Sequence, residues 1–177
     1  RPVAACVPRR RWRRPGYLAT EWIEGAENLH LWGWRIGGDG PTRRLRRAAR
    51  CAESLGRLVG RLHGRGYSHR DLKAANLLVR EEQGRPQTWL VDLEGLRHRR
   101  RLSFRRRVAD LARLAASVEA HPWVTPAVML RFLRSYLDEA AASRSILPPP
   151  WKGLWRAVAR QAAERNRRKR RRRQAVL

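Results

Sequence analysis

The chain of 177 residues is poor in cysteine, poor in acid and without any long apolar run. Its two cysteines, Cys6 and Cys51, stand far apart and in no C-x-x-C spacing. That suggests neither a disulfide framework nor a zinc site, and it fits a reducing cytoplasm. No apolar stretch approaches the roughly 20 residues that a membrane-spanning helix needs. No secretory-signal pattern is present either, so the expected location is cytoplasmic. Acid is scarce, with 15 Asp and Glu against 41 Lys and Arg, a formal net charge of +26. Such a surplus favours anionic partners: phosphates, an anionic membrane surface or nucleic acid. An Arg-over-Lys, Ala-rich composition is also what a GC-rich genome produces, so charge alone does not choose among them.

What is present suffices for one domain with a sizeable core, and no internal repeat is visible. Residues 1–15 are basic and broken by proline; residues 17–23 are β-branched and aromatic enough for a strand. Residues 30–40 hold Trp32, Trp34 and a Gly-rich turn, with the aromatics read as packing residues ahead of a role in stacking on a sugar or a lipid head group. The strongest helix covers 42–65, where Leu45, Ala48, Ala52, Leu55, Val59 and Leu62 make one apolar stripe. Thr42 can cap its start, and Gly64 or Gly66 can end it. A second helix is expected over 104–119 and a third, capped by Thr125, to about Ala142. Pro148, Pro149 and Pro150 form a rigid break. A last helix starts near Trp151 and is expected to dissolve into a disordered basic run from Arg165 to Arg173.

Two stretches carry chemistry. Gly66–Val79 reads G-Y-S-H-R-D-L-K-A-A-N-L-L-V, and Thr88–Gly95 reads T-W-L-V-D-L-E-G. The first puts Asp71, Lys73 and Asn76 in one loop before an apolar strand; the second puts Asp92 at the end of another. Phosphoryl transfer needs a carboxylate to take the proton of the attacking hydroxyl. It also needs a cation against the γ-phosphate and oxygen ligands for Mg²⁺. Asp71 is the candidate base, Lys73 the cation, and Asn76 with Asp92 the metal ligands. Residues 77–79 and 89–91 should pair as a hairpin, with residues 81–87 as the turn, setting Asn76 beside Asp92. Glu94 would either add a third carboxylate near the metal or pair with Arg97, Arg99, Arg100 or Arg101, and the ion pair is favoured.

H-R-D-L-K-x-x-N is the protein-kinase catalytic-loop pattern, and Asp92–Gly95 sits where that family keeps D-F-G. With D-L-E-G there, and Y-L-A-T-E-W-I-E-G-A-E-N-L at Tyr17–Leu29, the chain resembles the bacterial lipopolysaccharide kinases (Kdo and heptose kinases, InaA/WaaP-like) over Gly16–Val118. The resemblance implies an α+β, protein-kinase-like fold. It would consist mostly of the α-helical C-lobe (30–164) with a small β-hairpin pair, after a remnant of N-lobe strands and hinge (1–29) and before a basic tail (165–177). It implies an ATP- and Mg²⁺-dependent transfer to a hydroxyl of a lipopolysaccharide core sugar or related glycan. Glu21 would lie in the adenine-binding hinge, while His69, Arg70 and Asp110 would be structural. The basic run from Arg165 to Arg173 would touch an anionic membrane; nucleic acid is not favoured. No G-x-G-x-x-G loop or V-A-I-K lysine precedes Asp71, and residue 1 is Arg, so most of the ATP-covering N-lobe is expected to be missing. Two other readings stand beside this one. Lys73, two residues after Asp71, suits a protein Ser/Thr kinase, although no A-P-E follows. A catalytically dead module binding anionic membrane or nucleic acid is the third.

Overall fold

The structure, a computed structural model, describes residues 2–6, 17–142 and 150–175. Among these are five helices and small antiparallel sheets, a mixed α/β architecture. β1 (Pro2–Cys6) pairs with β2 (Tyr17–Thr20), so the expected strand is shorter than 17–23. β3 (Glu27–Asn28) runs directly into α1 (Leu29–Gly37).

α1 occupies most of the stretch read from sequence as two tryptophans and a Gly-rich turn. Asn28 caps it by accepting from Leu31 N at 3.0 Å, which satisfies an orphan donor of the first turn. Trp32 and Ile36 on its inner face are fully buried, whereas Trp34 is 59% exposed, so packing accounts for one tryptophan and not the other.

α2 (Pro41–Gly64) is the long helix the apolar stripe predicted. Its start differs from expectation: Gly40 occupies the cap position without a side-chain bond and Pro41 opens the first turn. Proline fits there because the missing N–H would have had no helical partner. Thr42 is therefore inside the helix. The buried face also differs in content. Leu45 is 46% exposed, while Gly56 and Gly60 are buried against α4 (Pro126–Ala142). A Cβ on Gly56 would lie 2.4 Å from Phe132 O, and one on Gly60 2.8 Å from Tyr136 O, so the two backbones touch through these glycines. Thr125 Oγ1 accepts from Val128 N at the start of α4.

β5 (Leu77–Glu82) and β6 (Arg85–Leu90) form the expected hairpin, longer than predicted because the turn is only Gln83-Gly84. Both turn residues have positive φ (50° and 71°), the conformation whose twist matches a two-residue hairpin. β3 joins on the other side, giving the order β3-β5-β6. The hairpin is tied to α2 by Ser54 Oγ to Thr88 Oγ1 at 3.0 Å and by Arg50 Nη1 donating to Gly84 O at 2.9 Å. Arg47 completes the join, bridging Asp39 and Glu81, with Trp32 Nε1 donating to Glu81 as well.

β4 (Tyr67–His69) pairs antiparallel with β7 (Leu96–His98). α3 (Phe104–Ser117) follows, capped by Ser103, and packs along α5 (Trp151–Gln174). The disordered tail expected after Arg165 is not found: α5 runs on to Gln174. Arginine is a good helix former, and the Glu164–Arg168 pair supports the continuation at i,i+4 spacing. Cys51 is buried and free; the side chain of Cys6 lies outside the described residues. No helix among the described residues is long and apolar enough to cross a membrane.

Candidate active site

Two ladders bring the chemistry-bearing loops together. Residues 70–76 connect β4 to β5, and residues 91–95 connect β6 to β7. Because Leu77 pairs with Leu90, and Val91 N donates to Asn76 O at 3.0 Å, Asn76 and Asp92 emerge side by side. Gly66 makes the approach to the first loop possible. It leaves α2 at φ +79°, and a Cβ there would stand 2.2 Å from Arg99 O, whose own amide bonds Gly66 O. Only glycine meets both conditions.

Asn76 is the hub of the site. Its Nδ2 donates to Asp71 Oδ2 and Asp92 Oδ2, both at 3.2 Å, and to Asp71 O at 3.0 Å. Lys73 Nζ stands 2.5 Å from Asp71 Oδ2. That hydrogen bond, reinforced by the lysine charge and by Asn76 against the opposing effect of burial, holds the Asp71 carboxyl below its ordinary range. Half-exposed, the pair owes little net stability to its Coulomb attraction. Asp92 adopts left-handed backbone (φ 59°, ψ 61°), which a short polar side chain tolerates. This turns its carbonyl onto His69 Nε2 at 2.8 Å.

His69 is fully buried beneath the loops. Its Nδ1 accepts from Asp71 N at 3.3 Å, so the proton resides on Nε2, which donates to Asp92 O. One imidazole thus spans both loops. A Cβ on Gly95 would lie 3.1 Å from His69 Cε1, so glycine at the end of D-L-E-G makes room for that ring. Behind it, Asp110 of α3 accepts from His69 N at 3.0 Å and from Arg113 Nη1 at 2.9 Å. His63 Nε2 lies 3.3 Å from Asp110 Oδ2, too poorly directed for a hydrogen bond, and Nδ1 lies 3.0 Å from Tyr136 OH. Burial pushes the His63 pKa down despite Asp110, so the ring is neutral. Ser117 Oγ accepts from Ala74 N at 2.9 Å, fixing the loop from α3.

The structure therefore brings Asp71, Lys73, Asn76 and Asp92 into one cluster, with His69 and then Asp110 behind it. Arg70 is exposed; its backbone N donates to Gly95 O, and its guanidinium makes no bond among the described residues. Glu21 lies on the exposed segment between β2 and β3. The expected ion pair of Glu94 is not formed among the described residues. Arg97 bonds the backbone carbonyls of Glu94 and Leu96, because the 3₁₀ turn Leu93–Gly95 leaves the Glu94 carboxylate exposed. Sequence reasoning missed His63, Tyr136 and Ser117. His63 alone left a signal, four residues after Val59 on the apolar face of α2.

Comparison with known proteins now bears on this geometry. The model of the lipopolysaccharide kinase (Kdo/WaaP) family matches residues 1–136. A solved structure, WaaP in complex with acyl carrier protein, superposes with a TM-score of 0.70 at 26% identity. The match covers 93% of this chain and 68% of that one. Curated protein sequences give no match. A family match over three quarters of the chain, together with a shared fold, makes this chain a member of the lipopolysaccharide kinase (Kdo/WaaP) family, whose members are kinases.

Proposed function

We propose that the site transfers phosphate from ATP, with Mg²⁺, to a hydroxyl of a lipopolysaccharide core sugar or related glycan. The observation that carries the reading is the Asn76 amide held 3.2 Å from each of two carboxylates, with Lys73 on one of them. Asp71, kept ionised by Lys73, orients the acceptor hydroxyl and takes its proton. Lys73 also lies where it can meet a transferring phosphoryl group. Asp92 and the Asn76 amide oxygen are hard oxygen donors on adjacent loops, a set that suits Mg²⁺, which takes few protein ligands beside phosphate oxygens. When bound, the ion supplies positive charge to the phosphates. His69 and Asp110 hold the two loops in register, and Arg70 ties its loop to Gly95 through backbone.

In this reading residues 30–164 form a kinase-like C-lobe, residues 1–29 are a remnant of the N-lobe with Glu21 in the hinge, and residues 165–177 are a basic extension. The WaaP structure includes acyl carrier protein, so that protein is a candidate partner here. The experiment is Mg²⁺-dependent ATP turnover by the full-length gene product, with core oligosaccharide and with protein acceptors, beside Asp92→Ala and Asp71→Asn. Turnover with the sugar, abolished in Asp92→Ala and reduced about 10²–10⁴-fold in Asp71→Asn, is expected. Absence of both turnover and Mg·ATP binding would refute the reading.

A further inference from the structure

Away from the catalytic cluster, α1 and the end of α5 meet at one surface. Leu31 and Trp34, one turn apart on α1, are 57% and 59% exposed. Trp34 packs on the His121 ring at a centroid distance of 4.9 Å, and His30 Nδ1 lies 3.2 Å from His121 Nε2. Glu119, two residues earlier, holds Arg170 of α5 at 3.1 Å. Lys169 stands close enough for its charge to act on His30. Residues 167–172 are all basic and all exposed. Arg168 and Arg170 are paired with Glu164 and Glu119, whereas Arg167, Lys169, Arg171 and Arg172 have no ion pair among the described residues. α1 also packs against the 3₁₀ turn that carries Asn76, so this surface adjoins the site.

We propose that Leu31 and Trp34, with Lys169 and the neighbouring arginines of α5, form a docking surface for an anionic lipid bilayer. The cations draw the surface to the headgroups, where each contributes a modest attraction that salt weakens. Trp and Leu then bury apolar area at the depth where amphipathic rings settle. A polynucleotide could neutralise the cations but offers Leu31 no aliphatic surface to meet, whereas an anionic bilayer presents headgroup charge and apolar depth together. The proposal deepens the glycolipid reading and rests on it for its purpose. Its test needs no turnover, so the two fail separately.

The full-length protein is sedimented with phosphatidylcholine vesicles containing either no phosphatidylglycerol or about one-third of it. Binding only to the anionic vesicles is expected. Leu31→Ser/Trp34→Ser, whose charge is unchanged, should partition roughly tenfold more weakly or worse. Lys169→Gln/Arg172→Gln, one turn apart on α5, should bind more weakly at about 0.1 M salt and converge with the parent near 1 M, where the Debye length is only about 3 Å. Thermal melting is followed in parallel to show that the variants are folded. Undiminished sedimentation of folded Leu31→Ser/Trp34→Ser would overturn the proposal. Equal binding to neutral vesicles, or binding of single-stranded RNA with none to vesicles, would do so too.

Discussion

The contact of α2 with α4 makes a sharp test of how the catalytic loop is supported. Replacing Gly56 by Ala puts a Cβ 2.4 Å from Phe132 O, about 1 Å inside ordinary carbon–oxygen contact. The obstacle is backbone in the middle of a helix, so no rotamer change relieves it and the helices must separate. A gap of 0.5–1 Å forfeits roughly a quarter to a half of each dispersion contact across it. The buried Leu55, Val59, Leu133 and Tyr136 lie on these two helices. Overpacking of this kind costs about 1–3 kcal/mol, with the upper end fitting a backbone clash, and the helix preference of alanine offsets about 1 kcal/mol. The net expectation is a loss of roughly 2 kcal/mol. For a chain of this size that is a melting point lower by about 4–8 °C. Gly153 on α5 is the control, since a Cβ there meets nothing within 4 Å; Gly153→Ala should be neutral or stabilising by up to about 1 kcal/mol. Thermal melting and urea midpoints read both. If Gly56→Ala melts at or above the parent, the close approach of the two backbones is wrong.

Further outcomes follow from the site. In Lys73→Met the Asp71 carboxyl should titrate higher than in the parent, because the bond that holds it down is gone; carbon-13 NMR of the aspartate carboxyls measures this, and an unmoved resonance would contradict the assignment. His30, His63 and His121 all have pKa values lowered by burial. The unfolded chain therefore binds protons first, and stability should be full above about pH 6.5 and fall as acid is added below it. Urea midpoints between pH 8 and about pH 5 report this, and a midpoint rising toward acid would refute it. Tyr136→Phe removes the partner of His63 Nδ1 in a fully buried place, for a loss of about 1–3 kcal/mol. Cys51, buried and with its thiol pKa raised by that burial, should resist alkylation in the native protein and react once urea unfolds it.

Legibility followed the range of the interactions. The site was readable because its residues belong to two short loops whose spacing the ladders preserve, and Gln83-Gly84 closes the hairpin with local chemistry alone. α2 was readable from periodicity. α1 was not, since Gly33 and its tryptophans weaken the helical signal. Gly33 is there because His121, far along the chain, fills the space a side chain would take, at 2.8 Å. The same applies to Gly56 and Gly60, whose reason is a carbonyl on another helix. The end of α5 was mistaken for a tail because a run of arginine resembles one, whereas its support comes from α3 and from Glu119. Glu94 was misjudged by counting nearby charges, when the turn geometry decides where the carboxylate goes.

The way Asn76 is held also explains its chemical identity. Chelation alone would favour aspartate at that position, since a full negative charge binds a dication more strongly than an amide dipole does. Position 76, however, is only 8% exposed and lies against two carboxylates at once. A third anion there would repel both neighbours before any cation arrived, and one of the three would have to take up a proton. The amide avoids this because it carries no charge and offers its NH₂ to the anions. Asparagine thus serves as insulation between two charges, and Asn76→Asp should be more damaging than its small change in shape suggests.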